Sequence, residues 1–250
     1  MKVGMPVLYE YNSLNDNINL CKKLNLDFIE LNLNFGYIRK QLQDKKYIKM
    51  LSLNKDIIYT CHFFDEADFG SFPEITKGYF KIFKKFMKPL KKLNCKLVNV
   101  HLNVGPIVTI SGIKNYLYEK EYDEYIYRLK TNLRYLNKLC HKINAKLVLE
   151  NVKTPNFILK TYKDLQDEFT FNYDIGHDYT NDSRLLLMTK SLNILEYHIH
   201  DSDMKLDHLA LNEGTMDIKM YKRMVKDAYA VLEVKSSADL IKSIEIFRKI

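Results

Sequence analysis

Metal-binding side chains are concentrated in one short segment of this sequence. His198-Ile-His-Asp201 places two histidines and an aspartate together, and Asp207-His208 follows within a few residues. Three more of the seven histidines, His62, His101 and His177, stand at or just after the ends of short apolar runs. Imidazole and carboxylate groups bind zinc, manganese, iron and cobalt. If these runs are strands that end at one place, the sequence predicts a site for at least one divalent ion.

Three acidic residues end or follow other apolar runs in the same way. Glu150 ends Leu-Val-Leu-Glu, Asp174 ends Phe-Asn-Tyr-Asp, and Glu233 follows Val-Leu. A buried carboxylate without a partner is costly, so each of these groups needs a cation or a hydrogen-bond donor. A buried salt bridge to lysine is the alternative for the two glutamates, and capping of the turn at Gly176 is the alternative for Asp174.

These residues fall at the ends of eight predicted strands that alternate with helical segments. The strands are predicted at residues 2–8, 27–33, 57–62, 96–101, 146–151, 169–174, 194–200 and 228–234. Apolar residues at helical spacing predict helices at residues 14–24, 37–53, 73–93, 119–143, 156–168, 183–192, 217–227 and 236–250, with a kink or break at Pro89 and a longer connection at residues 103–118. This alternation predicts an α/β fold, a single (β/α)8 TIM barrel, whose functional residues lie at the carboxyl ends of the strands.

Length and composition fit one barrel domain over residues 1–250. The amino terminus lacks a secretory signal and no apolar run could cross a bilayer, so we expect a cytoplasmic protein without a membrane partner. The four cysteines form no Cys-x-x-Cys pair, which argues against a disulfide framework and against a thiolate zinc site. Nothing in the sequence indicates an oligomeric state.

The formal net charge of +8 would suit a polyanionic partner such as nucleic acid. Few of the 39 basic residues are arginine, however, although arginine is the preferred group for bidentate phosphate recognition. The charge is therefore only weak support for nucleic-acid binding, and it fits a general richness in lysine equally well.

Short motifs along nearly the whole chain resemble the xylose isomerase-like TIM-barrel superfamily, which includes sugar isomerases and epimerases and the endonuclease IV type of apurinic endonuclease. The motifs are Phe28-Ile-Glu-Leu, Tyr59-Thr-Cys-His, Asn99-Val-His, Leu147-Val-Leu-Glu-Asn, Tyr173-Asp-Ile-Gly-His, His198-Ile-His-Asp, Asp207-His-Leu-Ala-Leu-Asn-Glu-Gly and Leu232-Glu-Val-Lys. Each motif is weak alone, but their order and spacing together are fairly specific.

The resemblance to the isomerases and epimerases implies one divalent ion, zinc or manganese ahead of magnesium, cobalt or iron. Its implied ligands are Glu150, Asp174, His198 and Glu233, with His200 on the same strand face as the alternative histidine. A bound ion would acidify a C–H group between a carbonyl and a hydroxyl, and Glu150 and Glu233 would move that proton through an enediolate. The histidines expected to contact the sugar, polyol or keto acid substrate are His62, His101, His177, His200 and His208.

The resemblance to endonuclease IV implies a different use of some of the same residues. A first additional ion would take His62 and His101, with Glu150 bridging, and another would take His177 and an Asp-x-His pair. This chain keeps His208, but Leu206 stands two positions before it and Asp207 is displaced by one residue. That displacement argues against a complete three-metal site, and with it against hydrolysis of abasic DNA.

We therefore expect a metal-dependent isomerase or epimerase that acts on a small carbohydrate-like molecule. An endonuclease IV-like phosphodiesterase is the alternative, and a non-catalytic binding role is the third option. Glu30, at the end of the second predicted strand, is interpreted as a structural residue or a peripheral substrate contact.

Overall fold

Ten strands form in the computed structural model, which describes residues 1–250. They are β1 (Lys2–Pro6), β2 (Phe28–Asn32), β3 (Ile58–His62), β4 (Leu97–Leu102), β5 (Ile107–Ile110), β6 (Ile113–Tyr116), β7 (Lys146–Asn151), β8 (Thr170–Asp174), β9 (Ile194–Ile199) and β10 (Tyr229–Leu232). All except β5 and β6 pair in parallel and close into a barrel in the order β1-β10-β9-β8-β7-β4-β3-β2. The predicted (β/α)8 TIM barrel is confirmed.

Helices surround this barrel and connect its successive strands. They are α1 (Leu14–Lys23), α2 (Gly36–Gln43), α3 (Lys45–Leu51), α4 (Pro73–Lys92), α5 (Leu117–Lys120), α6 (Tyr122–Lys142), α7 (Asn156–Leu165), α8 (Ile175–Tyr179), α9 (Ile218–Met224) and α10 (Ser237–Lys249), with a 3₁₀ helix at Leu186–Lys190. None of them combines the length and the apolar character that crossing a membrane requires.

Several helices differ from the sequence prediction: the one predicted at residues 183–192 is only the 3₁₀ helix at Leu186–Lys190, and the one predicted at residues 119–143 is interrupted at Glu121. The helix predicted at residues 37–53 is divided at Asp44, whose extended backbone ends α2 and whose side chain accepts hydrogen bonds from the backbone N–H groups of Lys46 and Tyr47 at the start of α3. An aspartate in this position favours a new helix start over continuation. Helix α4 passes through Pro89 without a break, because Pro89 lies in its last turns, where one lost backbone hydrogen bond is tolerated.

The predicted connection at residues 103–118 contains a β-hairpin that was not predicted from the sequence. Strands β5 and β6 pair antiparallel around a turn at Ser111 and Gly112, which both have positive φ angles. Two short β-rich runs separated by a Ser-Gly turn are a hairpin signal. The hairpin follows β4 and therefore extends from the carboxyl end of the barrel, with Ile110 and Ile113 largely exposed.

The barrel interior is apolar at one end and polar at the other. An added Cβ at Gly4 would lie 2.5 Å from the ring of Phe28, which packs edge-to-face against Tyr229 at the amino-terminal end. Two residues further along β2, Glu30 lies on the same inward face and is buried. The interior thus changes from aromatic packing to polar side chains towards the carboxyl ends of the strands.

Candidate metal centre at the barrel mouth

The carboxyl ends of β7 to β10 bring together Glu150, Asp174, His198 and Glu233. One potential ligand atom from each lies within 4.8 Å of the others. Nδ1 of His198 is central: it lies 3.4 Å from Glu150 Oε1, 3.7 Å from Asp174 Oδ2 and 2.8 Å from Glu233 Oε2. We call these four residues the quartet. They come from neighbouring strands, so the barrel itself fixes their mutual positions.

The quartet leaves a nitrogen lone pair directed at three carboxylates. Nε2 of His198 lies 3.3 Å from Glu30 Oε1, and an ionised carboxylate only accepts hydrogen bonds, so Nε2 carries the hydrogen of the neutral ring. Nδ1 of His198 and Oε2 of Glu233 are buried and have no hydrogen-bond partner. A lone pair facing anionic oxygens is repulsive unless a proton or a metal cation lies between them. The donor set of one imidazole and three carboxylates fits a divalent ion.

The electrostatics of the quartet also favour positive charge at its centre. Burial lowers the pKa of His198, but the negative charges of Glu150, Glu233 and Glu30 outweigh it and raise that pKa well above its usual range. Burial raises the pKa of Glu150, yet His198 and His101 hold it well below its usual range. The metal-free centre therefore retains a proton on His198, in the position that a bound cation would take.

Two asparagine amides hold the carboxylate of Glu150 in place. The Nδ2 groups of Asn99 and Asn172 both donate to its Oε2, the second at 3.2 Å. Its Oε1 is left to face His101 and His198. Neither asparagine was predicted from the sequence, although each stands two residues before a predicted site residue on the same inward strand face.

His62 and His101 approach Glu150 from β3 and β4. Nδ1 of His62 donates to the backbone carbonyl of Phe63 at 2.8 Å, and Nδ1 of His101 donates to that of Asp65 at 3.2 Å. Their Nε2 atoms then point at the carboxylate of Glu150, at 3.2 and 3.6 Å. Glu150 outweighs the effect of burial and raises the pKa of His62 to about 10. This second cluster also favours a shared proton or cation.

A third cluster contains His177, Asp207 and His208, whose potential ligand atoms lie within 4.8 Å of one another. Nδ1 of His177 lies 3.1 Å from Asp207 Oδ2, and Nδ1 of His208 donates to the backbone carbonyl of Glu233 at 3.0 Å. His208 has a left-handed backbone with φ of 55°, and Asp207 faces the cluster despite its displaced position in the sequence. Asp207 therefore lies beside the two histidines, although Leu206 occupies the position two residues before His208.

His200 is placed differently from the other histidines at the mouth. It is fully buried, its Nδ1 accepts the backbone N–H of His208 at 2.8 Å, and its Nε2 donates to Asp174 Oδ1 at 3.0 Å. Both ring nitrogens are engaged within the protein, so neither is free for the metal or substrate contact predicted from the sequence. Asp174 Oδ1 also accepts the backbone N–H of His177 at the start of α8, which leaves Oδ2 facing His198.

Glu30 and Glu196 form a buried acidic pair beneath the quartet. Potential ligand atoms of these two residues and of His198 lie within 4.8 Å of one another. Both carboxylate oxygens of Glu196 lack a hydrogen-bond partner, and burial together with Glu30 raises its pKa well above the usual range. Glu30, interpreted from the sequence as a structural residue or a peripheral substrate contact, has its side chain inside the barrel against His198.

A cavity of about 340 Å³ opens beside Glu233 at the carboxyl end of the barrel, with Tyr9, Phe35 and Lys235 in its wall. Glu233 is the quartet residue that borders this space. Its side chain is 16% exposed, whereas that of Glu150 is 1% exposed. Another cavity, of about 500 Å³, lies at the amino ends of β7 and β8, away from the metal-binding side chains. A small polar molecule could reach the quartet through the smaller cavity.

The closed parallel barrel makes this protein a TIM barrel, and the histidines and carboxylates at its mouth form a candidate metal centre. The family described as "Xylose isomerase-like TIM barrel" matches residues 18–250, and the chain belongs to that family. A comparison with curated protein sequences finds no significant match.

Solved structures with similar folds cover essentially the whole chain at low sequence identity. A D-tagatose 3-epimerase-like protein is 21% identical, with a TM-score of 0.79 over 100% of this chain and 96% of its own. A Thermus thermophilus protein, TTHB071, soaked with ZnCl₂, is 19% identical, with a TM-score of 0.75 over 100% and 97%. The 3-keto-D-glucoside 4-epimerase YcjR from E. coli is 13% identical, with a TM-score of 0.74 over 100% of both chains. These likenesses show the fold.

Proposed function

We propose that this chain is a divalent-metal-dependent isomerase or epimerase for a small sugar or a related polyol or keto acid. The observation that carries the proposal is the quartet, in which Nδ1 of His198 and three carboxylates converge on one point. Structural neighbours that are sugar epimerases or epimerase-like proteins support the same general kind of chemistry. Neighbours with bound or soaked zinc support zinc as one candidate ion, and manganese suits the same donors.

Glu150, Asp174, His198 and Glu233 would hold the ion. When bound, it would polarise a substrate carbonyl and its neighbouring hydroxyl and so acidify the C–H group between them. Glu233 borders the cavity and 16% of its side chain is exposed, so its carboxylate is suited to accept a proton from substrate. Glu150 would be the second proton-transfer group through Oε1, because its Oε2 is occupied by two amides.

The outer histidines would contact the substrate. His62, His101, His177 and His208 surround the quartet, and each is fixed through one nitrogen while the other faces the centre or its rim. Such anchored rings are suited to hydrogen bonds with sugar hydroxyls. His200, with both nitrogens engaged, would instead orient Asp174.

Solvent proton exchange tests this proposal whatever the final product is. Zinc- or manganese-loaded protein is incubated in D₂O with a panel of ketoses, aldoses and keto acids, and deuterium at the carbon next to the carbonyl is followed by NMR. We expect exchange with at least one of them, and the Glu233→Gln variant should slow it by about 10²–10⁴-fold.

Glu213→Gln is the matched control, because Glu213 is exposed and paired with Lys242 at 3.0 Å, away from the quartet. It should exchange substrate protons at the wild-type rate. Failure of every substrate to exchange with zinc, manganese, cobalt or magnesium bound would contradict the proposal, and so would unchanged exchange by Glu233→Gln.

A second candidate function is metal-dependent phosphodiester hydrolysis, favoured by the two clusters that flank the quartet. His62 and His101 share Glu150 with the quartet, and the group of His177, Asp207 and His208 lies on the other side of it. This function requires two or three ions per chain. Metal analysis of wild type and His62→Ala, with assays on an activated phosphodiester and on abasic duplex DNA, distinguishes it: one ion and no cleavage exclude it.

A further inference from the structure

Glu30 contacts the quartet only through His198, from the side of the ring opposite the three carboxylates. Its Oε1 accepts the Nε2–H of His198 at 3.3 Å, while Nδ1 of the same ring faces the quartet. We propose that Glu30 is a positioning residue for metal binding, which fixes the hydrogen of His198 on Nε2 and so keeps Nδ1 free as the ligand atom. The inference rests on the proposed metal-dependent function.

A salt bridge or packing role does not account for Glu30. It is 2% exposed, lies in the middle of β2 and pairs by backbone with both β1 and β3. It forms no ion pair with lysine or arginine, and its ion-pair partner is His198. Because burial of an isolated carboxylate is costly, its presence here is explained best by what it does to the histidine.

The tautomer of His198 decides whether the quartet can bind an ion. A neutral imidazole carries one hydrogen, and a ring nitrogen that carries it cannot coordinate metal. Three carboxylates around Nδ1 would attract the hydrogen to that side if Nε2 had no acceptor. With Glu30 accepting at Nε2, the hydrogen is retained there, and the negative charge behind the ring makes Nδ1 a stronger electron donor.

Glu196 provides a matched control for this role. It is a glutamate of the same interior layer, it is fully buried and close to His198, yet neither of its carboxylate oxygens makes a hydrogen bond. Replacement by glutamine at Glu196 changes the same functional group in nearly the same surroundings. It leaves the contact between Glu30 and His198 intact.

The test measures zinc affinity of the folded chain by competition with a chelator for wild type, Glu30→Gln, Glu30→Leu and Glu196→Gln. Loss of an acceptor behind a metal-binding histidine lowers affinity by about 10–100-fold, and we expect that loss for Glu30→Leu. Glu30→Gln retains an acceptor oxygen without its charge and should lose less. Glu196→Gln, which leaves the hydrogen bond between Glu30 and His198 in place, should lose much less zinc affinity than Glu30→Leu. If Glu30→Leu does not fold, Glu30→Asp, which withdraws the carboxylate by one methylene, takes its place.

NMR of the histidine rings gives a readout that a purely structural role would not change. In zinc-loaded protein, the Nε2–H proton of His198 should show the downfield shift of a hydrogen bond to a carboxylate in wild type and in Glu196→Gln, and this shift should be lost in Glu30→Leu. Wild-type zinc affinity in both Glu30 variants, or an equal loss in Glu196→Gln, would overturn the inference. A wild-type chain that binds no zinc or manganese would instead defeat the proposed function, and this inference with it.

Discussion

Substitution of Gly176 by alanine should disturb the metal centre through His200. Gly176 lies in α8, two residues after Asp174, and an added Cβ would stand 2.0 Å from Cε1 and 2.4 Å from Nδ1 of the His200 ring. Ordinary contacts of this kind are 3.4–4 Å, so the ring would have to move by more than 1 Å. It cannot do so freely, because it is stacked on His208 at 4.2 Å and bonded through both nitrogens.

The expected cost combines two effects of similar size. Overpacking of a filled core costs about 1–3 kcal/mol, and loss of a hydrogen bond to the charged carboxylate of Asp174 adds about 1.5–3 kcal/mol. We therefore expect Gly176→Ala to lower the free energy of unfolding by about 3–5 kcal/mol, measured by urea denaturation of metal-free protein. Zinc affinity should fall as well, since Asp174 loses a group that orients it.

Two further variants make this prediction specific. Gly78, inside α4, has nothing within 4 Å of an added Cβ, so Gly78→Ala should stabilise the helix by about 0.5–1 kcal/mol. In a His200→Ala background the clash disappears, and Gly176→Ala should then cost much less, with a coupling of at least about 1 kcal/mol. Additive effects of the two changes, or wild-type stability of Gly176→Ala alone, would refute the packing argument.

Three other predictions follow from the charges and burial of the centre. The raised pKa of His198 keeps the metal-free ring protonated at neutral pH. Zinc binding should therefore release a proton, and zinc affinity should rise about tenfold per pH unit near neutral pH. Calorimetry in buffers of different ionisation enthalpy measures the released proton, and binding without proton release would contradict the argument. The pKa of His177 is raised to about 10 by Asp174 and Asp207 against the effect of burial, so Asp207→Asn should lower it in an NMR titration. This raised pKa adds stability below about pH 6.5 that is lost as pH rises through 10, and the variant should therefore be destabilised more at pH 6 than at pH 10.5; equal losses would contradict the assignment. All four cysteines are buried, and burial raises their pKa values, so a thiol reagent should label them only on unfolding, and rapid labelling of the folded chain would argue against this packing.

The barrel and the convergence of strand ends could be predicted because both depend on local patterns. Apolar runs of strand length, helical spacing between them and polar residues at their ends are visible in one sequence. The parallel barrel then brings those ends together whatever the residues between them are. That is why Glu150 and Glu233, far apart in sequence, lie on the same centre.

Other features depend on backbone and side-chain geometry that local patterns do not carry. The left-handed backbone at His208 and the placement of Asp207 depend on the turns of the loop that precedes them. The role of Glu30 depends on which nitrogen of His198 faces inward. The hairpin of β5 and β6 was visible as a Ser-Gly turn between apolar runs, but its length suited an ordinary loop equally well.

Three of the histidines at the mouth are oriented by main-chain carbonyls rather than by side chains. His62, His101 and His208 donate to the carbonyls of Phe63, Asp65 and Glu233, all in segments that follow strands. A change in the length or path of such a segment would rotate an imidazole without altering any residue that touches substrate or ion. The lengths of these segments would therefore control the orientation of the imidazoles, and redesign of this site should begin with the loops.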